Sequence, residues 1–441
     1  MVTVYSNRGK FCDGISRRSF VTAGVLGLSG LTLPQLLRAR EQSAATGTTV
    51  RDASVIFVEL AGGPTHFETY DPKPSAPVEY RGPLQAIPTS LPGVAFSELM
   101  VEQAKIAHLL VVLRAVAHQN NSHDTSSHLT QTGHYKLGEK GGANSFPSIG
   151  SLTSRIRGAN EAGLPAYVAV PSAMRNGKAS FAGAGFNPFE TGSDPNSGSF
   201  QVNNLALTSG LTLERLEDRR SLQRFLDTQQ RLVDLEGVGE AVDGYAQQAY
   251  DLVAGGRAQQ AFDMNREDAA TRTRYGRNTV GQSLLLARRL VEAGSTFVSV
   301  RVTGWDDHTK IADRMREKGP NYDRGMAALI TDLHERGLNE KVLVVAMGEF
   351  GRTPRVNKSA GRDHWGAVMS VLLAGGPVRQ GQIIGASNAK GEVPLETPYR
   401  PENILATIYR HLGIDPGTTI PDHDGRPRHL LDVRDPIAEL V

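Results

Sequence analysis

Several acidic and imidazole side chains in this sequence are spaced so that they could hold a divalent cation. The segment G-W-D-D-H places Asp306 and His308 two residues apart. A carboxylate and an imidazole at that spacing in a loop can converge on one ion, although an Asx turn with a solvated histidine would leave the same trace. The segment M-G-E-F-G-R-T-P contributes Glu349 and Arg352, and G-R-D-H-W contributes Arg362, Asp363 and His364. Glu349, Asp363 and His364 are candidate ligands, and Arg352 or Arg362 could grip an oxyanion bidentately. The structural alternative is an arginine and carboxylate network that braces two loops. The loop G-G-P-T-H-F-E-T-Y-D-P-K-P adds His66 as a candidate ligand. It also presents Thr65, which is a nucleophile, a ligand or simply a helix cap. Four histidines, His118, His123, His128 and His134, crowd residues 118–134. Ser122, Asp124 or Thr125 could cap a helix running to Gly133, which would put His123 at a helix N-terminus that favours an anion.

The elements that must position these groups are short apolar runs: Val55 to Leu60, Leu109 to Leu113, Ala166 to Val170, Thr296 to Val302, Val342 to Met347 and Val368 to Leu373. Such runs, separated mostly by helical periodicity, read as strands buried on both faces. They predict an α/β fold with a mostly parallel central sheet, whose carboxyl edge carries the polar loops and binds ligands. Residues 176–210 are rich in Gly, Ser and Asn and read as a loop insertion. Residues 211–295 read as a helical cover with breaks at Gly237, Gly255-Gly256 and Gly276. A last helix is predicted from Pro401 to Leu412, stopped by Gly413. Residues 46–441 are expected to form a single domain.

Composition narrows the chemistry. The chain of 441 residues has 48 Lys+Arg against 46 Asp+Glu and 6% aromatics, which suits neither a nucleic-acid protein nor a disordered one. The single cysteine, Cys12, excludes an internal disulfide and a cysteine-rich metal site, so any metal chemistry belongs to His and carboxylates. Residues 16 to 21, S-R-R-S-F-V, precede a weakly apolar stretch from Val21 to Leu37 and then Arg38 and Arg40. This resembles a twin-arginine export signal, expected to occupy residues 1–45 with its linker, and the stretch is a poor membrane span. Its removal takes six basic and two acidic residues, leaving 42 against 44. The mature chain is therefore expected in the periplasm or outside the cell, with no integral membrane segment.

Taken in chain order, S-R-R-S-F, G-G-P-T-H-x-E-T-x-D-P-K-P, N-S-H-D-T-x-x-H-x-x-Q-T-G, G-W-D-D-H, G-E-F-G-R-T-P and G-R-D-H-W resemble a secreted bacterial family known by number, domain of unknown function family 1501. That family is similar to the alkaline phosphatase and sulfatase superfamily. The resemblance implies a three-layer α/β/α sandwich with a metal site at the carboxyl edge of the sheet. It also implies a nucleophile ten residues before the Gly of the T-G helix end. Counting back from Gly133 gives His123 rather than Ser, Thr or Cys, and no C-x-P-x-R or S-x-P-x-R stretch exists. The superfamily's late Asp-His pair stands here as Glu349-Phe350.

These readings lead to a metal-dependent hydrolase of phosphate or sulfate esters on a small molecule or polysaccharide. Its divalent ion (Zn, Mn, Mg or Ca) would be held by His66, Asp306, His308, Glu349, Asp363 and His364. Arg352, His123 and Thr65 would be the catalytic groups, and water the nucleophile. The competing expectation is a non-catalytic binding or assembly protein on the same scaffold, exported by the same machinery.

Overall fold

The computed structural model describes residues 52–137, 142–202 and 256–440. The expected signal at 1–45 and the part of the expected helical cover between 211 and 255 lie outside the described residues.

All six apolar runs form strands. With β1 (Ser54–Leu60), β2 (Leu110–Val116), β3 (Tyr167–Val170), β4 (Phe189–Glu190), β5 (Phe297–Val302), β6 (Val342–Met347), β7 (Met369–Gly375) and β8 (Gln382–Ile384), the described residues build an eight-stranded sheet in the order β8-β2-β7-β6-β1-β5-β3-β4. Every pairing is parallel except those of β7, which runs antiparallel to both β2 and β6. The reversal follows from the connection. Residues 348–368 carry no helix that could cross back over the sheet, so the chain returns on the same edge. The insertion expected at 176–210 is irregular over its described part, but Phe189–Glu190 within it pairs with β3 as the edge strand. Two residues are too few to carry a readable period.

Helices cover both faces. α1 (His123–Thr132), α2 (Ile149–Arg157) and α5 (Pro401–His411) lie on one side, while α3 (Thr279–Ala293) and α4 (Ile311–Glu335) lie on the other. Alternate residues of β1 show the division. Val55 and Phe57 pack with Ile149, Leu405 and Ile408, whereas Ile56, Val58 and Leu60 pack with Leu284, Leu285 and Met326. Each such side chain, fully buried, contributes about 1.5–3 kcal/mol, which is why a two-faced strand reads as a continuous apolar run. The result is the three-layer α/β/α sandwich that the sequence implied.

α1 starts where Ser122 leaves the extended region and ends at Gly133, whose left-handed backbone (φ 80°) closes the last turn by donating to the Leu129 carbonyl. Ser122 occupies the cap position, but its side chain makes no capping hydrogen bond.

Glu59 breaks the apolar run. It is buried, accepts a hydrogen bond from Gln131 Nε2 of α1 at 2.6 Å, and pairs with Arg301 of β5 at 3.2 Å. Burial pushes its carboxyl up to about 7, against the opposing pull of Arg301. The folded state then holds a proton on Glu59 that the unfolded chain releases near pH 4.5, so this group's contribution to stability is full below that pH and is lost as pH rises through 7. Urea midpoints measured from pH 5 to pH 8 should fall more steeply for the wild type than for Glu59→Gln. Parallel curves would show that Glu59 is not held protonated.

Candidate metal centre

The strand polarity brings distant loops to one edge. β1, β2, β5 and β6 end there, and antiparallel β7 begins there. Hence residues after β2 (His118, His123), after β5 (Asp306, His308), after β6 (Glu349, Arg352) and before β7 (Asp363, His364) become neighbours. The ribbon pairing His364 with Arg352 and Trp365 with Gly351 fixes the last two loops against each other.

Three imidazoles meet the Asp306 carboxylate. His123 Nε2 lies 3.2 Å from Asp306 Oδ2, and His364 Nε2 and His308 Nε2 lie 3.1 Å and 3.0 Å from Oδ1. The two latter nitrogens are 3.0 Å apart. His123, Asp306 and His364 each offer a ligand atom within 4.8 Å of the other two.

The opposite nitrogen of each ring is engaged by an acceptor. His123 Nδ1 donates to Glu349 Oε1 at 2.7 Å, His308 Nδ1 to Asp363 Oδ1 at 2.7 Å, and His364 Nδ1 to the Asn121 carbonyl at 2.8 Å. A neutral ring that donates from Nδ1 has its lone pair on Nε2. With the rings neutral, all three lone pairs face the carboxylate, an arrangement that a cation satisfies.

Electrostatics follow the contacts. Partial burial would raise the Asp306 carboxyl, but the hydrogen bonds of Arg352 and His364 outweigh it and hold the group well below the usual carboxylate range. The Glu349 hydrogen bond raises His123, desolvation lowers His364, and the His308 hydrogen bond lowers Asp363. Asp306 and His308 are each 43% exposed, so the centre opens to solvent.

Three of the expected site residues have their polar groups taken up by the framework. Arg352 is fully buried: Nε donates to the Gly63 carbonyl at 2.9 Å, Nη1 to the Arg362 carbonyl at 3.0 Å, and Nη2 to Asp306 Oδ1 at 2.6 Å and to the Gly62 and Trp305 carbonyls. It braces loops and aims Asp306 instead of facing an oxyanion. Thr65 is buried and its hydroxyl donates to Glu68, whose carboxylate is paired with the buried Arg362 at 2.8 Å. His66 is buried against Phe67, with Nε2 donating to the Gly391 carbonyl at 3.1 Å, and desolvation lowers it to about 4. Of the six residues expected to hold the ion, His66 stands apart, and Asp306, His308, Glu349, Asp363 and His364 meet together with His123 in one hydrogen-bonded cluster. Glu349 and Asp363 do so through His123 and His308, facing their Nδ1 atoms.

Two parts of the cluster had no reading in the sequence. Gly62 donates its N–H to both Glu349 oxygens at 3.0 Å, and with φ at 120° a Cβ there would stand 2.4 Å from the Asp306 nitrogen. His118 donates Nε2 to the Glu349 carbonyl at 2.7 Å, while Asn121 Oδ1 accepts from the Gly366 N–H at 2.6 Å. The doubled glycine and the crowded histidines were the available signals, and backbone acceptors such as the Asn121 carbonyl leave none.

The model of the family described as "Protein of unknown function (DUF1501)" matches residues 52–441. The chain belongs to the DUF1501 family. No curated protein sequence matches it. Among solved structures, it is similar to Ps i-CgsB (9% identity, TM-score 0.38, covering 82% of this chain and 72% of that one). It is similar also to the lipoteichoic acid synthase LtaP from Listeria monocytogenes (10%, 0.36, 86% and 79%) and to the PsFucS1 sulfatase from Pseudoalteromonas sp. (11%, 0.38, 86% and 72%). At such distances the description of this DUF1501 protein rests on its own geometry.

Arg352→Ala should strand the Asp306 carboxylate and four backbone carbonyls, costing about 3–5 kcal/mol in urea denaturation. A variant of wild-type stability that merely bound substrate worse would return Arg352 to the oxyanion role.

Proposed function

We propose that this protein is an exported, metal-dependent hydrolase of an anionic ester, a phosphate or sulfate ester on a small molecule or a polysaccharide. The observation that supports it most is the convergence of three Nε2 lone pairs on Asp306 at the carboxyl edge of the sheet. These residues fit a divalent ion, which when bound would supply Lewis acidity to an ester oxygen and acidify water. The chain's own groups orient that ion's ligands and keep the cluster open to solvent. Glu349 and Asp363 fix the rings of His123 and His308, and Arg352 holds Asp306. The first residue of α1, where a helix N-terminus would favour a nucleophile, is His123, and the Thr65 hydroxyl is committed to Glu68. Water is accordingly the nucleophile in this reading.

Aryl phosphates and aryl sulfates should be screened with Zn, Mn, Mg and Ca. His364→Ala should lose at least roughly 10- to 100-fold in turnover, judged against the size of effects around metal ligands, while Thr65→Ala keeps substantial activity. A phospho- or sulfo-threonine trapped in the wild type, and lost with Thr65→Ala, would overturn the water route. No bound metal and no turnover on any ester would instead favour a binding or assembly protein.

The export part of the proposal rests on the S-R-R-S-F segment. Replacing Arg17→Lys and Arg18→Lys together should leave the chain in the cytoplasm with its first 45 residues attached, read by fractionation and N-terminal sequencing. Export of that variant at the wild-type level would remove the localisation. Among the described residues, no helix is long and apolar enough to cross a membrane.

A further inference from the structure

We propose that Arg301 and Arg175 form an anion-holding position beside the candidate centre, which selects a substrate carrying a second anionic group, sulfate, phosphate or carboxylate, besides the ester itself. The inference rests on the ester-hydrolase reading above and deepens it, since it names the substrate as a polyanion.

Arg301 is the last residue but one of β5 and lies in register with Glu59 of β1. Its side chain is 27% exposed. Glu59 stands 3.2 Å from its Nε, yet neither that Nε nor Glu59 Oε2 has a hydrogen-bond partner. Nη1 reaches the Ala173 carbonyl at a long 3.4 Å, and Nη2 makes no hydrogen bond among the described residues. Burial pushes the Glu59 carboxyl up to about 7, so below that pH the neighbour is mostly a neutral acid and leaves the guanidinium charge uncompensated. A guanidinium presents a planar fork of N–H donors that matches the oxygens of a sulfate, phosphate or carboxylate. Most of this fork is unused.

Arg175 arrives from the loop after β3. Its side chain is exposed and pairs with no carboxylate among the described residues. Its backbone, by contrast, is fixed. The Arg175 N–H donates to Glu59 Oε1 at 3.3 Å, and the Asn176 N–H to Gln131 Oε1 at 2.7 Å. Asn176 Nδ2 donates to Ser127 Oγ at 2.8 Å and to the Asp124 carbonyl at 3.3 Å. These contacts hold the loop against the first turns of α1, whose first residue is His123. They also explain two polar side chains in an apolar layer, since Glu59 and Gln131 clamp the segment that carries Arg175. Carboxylates on the flanking segments are engaged elsewhere. Asp124 takes Lys136 Nζ at 2.8 Å, and Glu190 Oε2 accepts from the Ala173 N–H at 3.0 Å.

The two arginines neighbour the centre without entering it. Glu59 precedes Gly62, whose N–H holds Glu349, on the same strand end, and Arg301 precedes Asp306 on another. The Glu349 charge reaches Glu59 and adds to the upward push on its carboxyl. Among the described residues, neither guanidinium makes a hydrogen bond or ion pair with His123, Asp306, His308, Glu349 or His364. An anion held at Arg301 is therefore a different group from one held at the centre, and a substrate that spans both carries two.

The test is calorimetric titration of the mature chain, stripped of metal with a chelator, with sodium sulfate at about pH 6 and low ionic strength. Sulfate should bind, and Arg301→Gln should weaken it by roughly tenfold or more, as expected for lost charge-assisted hydrogen bonds. Arg175→Gln should weaken it several-fold. Lys178→Gln, an equal change of charge at an exposed position close by, should leave it unchanged. Far-ultraviolet circular dichroism identifies any variant that fails to fold, and Arg301→Lys, which keeps the charge but loses the fork, should also bind more weakly than the wild type. In turnover with metal restored, Arg301→Gln should raise KM for an aryl sulfate carrying a second sulfate more than for the singly charged ester, and should change KM more than kcat. No sulfate bound by the stripped wild type, an equal loss in Lys178→Gln, or wild-type affinity in the folded Arg301 variants would overturn the proposal. Singly and doubly charged esters affected alike by Arg301→Gln would overturn it and leave the hydrolase reading standing. Sulfate bound as described, with no turnover of any ester, would support the anion position and overturn that reading.

Discussion

A buried guanidinium must find partners for its charge and its donors, and Arg352 finds them in three loops at once, its own included. It holds the Gly62 and Gly63 carbonyls after β1, the Trp305 carbonyl and Asp306 after β5, and the Arg362 carbonyl before β7, while it itself follows β6. An unpaired buried charge costs several kcal/mol, so these loops are locked to each other by the same requirement that makes the arginine tolerable there. Asp306 is the one side chain in that set. Its carboxylate is therefore aimed before any ligand arrives, and the imidazoles are arranged around a fixed point.

A second brace lies beside the first. Arg362 pairs with Glu68, donates to the Tyr80 carbonyl at 2.7 Å, and stacks on the Phe67 ring at 4.1 Å. The G-G-P-T-H-F-E loop thus spends its polar groups on framework: Thr65 on Glu68, Glu68 on Arg362, and His66 on Gly391. The bland alternative weighed for the arginines, a network bracing two loops, is what the structure contains, and it coexists with a candidate site built from other residues on the same loops.

The fold was legible because its six longer strands are buried on two faces, which leaves a nearly unbroken apolar signature, and because Gly133 and Gly413 mark helix ends by backbone need. The clustering of His123, Asp306, His308, Glu349, Asp363 and His364 was legible for a related reason. Each flanks a strand, and the sheet has only one edge where those strand ends coincide. Which carboxylate faces a ring's inner nitrogen and which its outer one was not legible, because that depends on loop turns of a few ångströms. Nor was the burial of Thr65, His66 and Arg352, whose residue types are the same in a framework as in a site.

The central claim is that three rings are pinned at Nδ1 so that three Nε2 atoms face the Asp306 carboxylate. Nitrogen-15 spectra of protein labelled at histidine, without and with zinc, read this directly from the shifts and long-range proton couplings of each ring. The account predicts protonated Nδ1 for His123, His308 and His364, with their Nε2 signals moving to metal-bound positions on loading while His66 stays unchanged. Protonated Nε2 on any of the three in the loaded protein, or ring signals that zinc does not move, would contradict it.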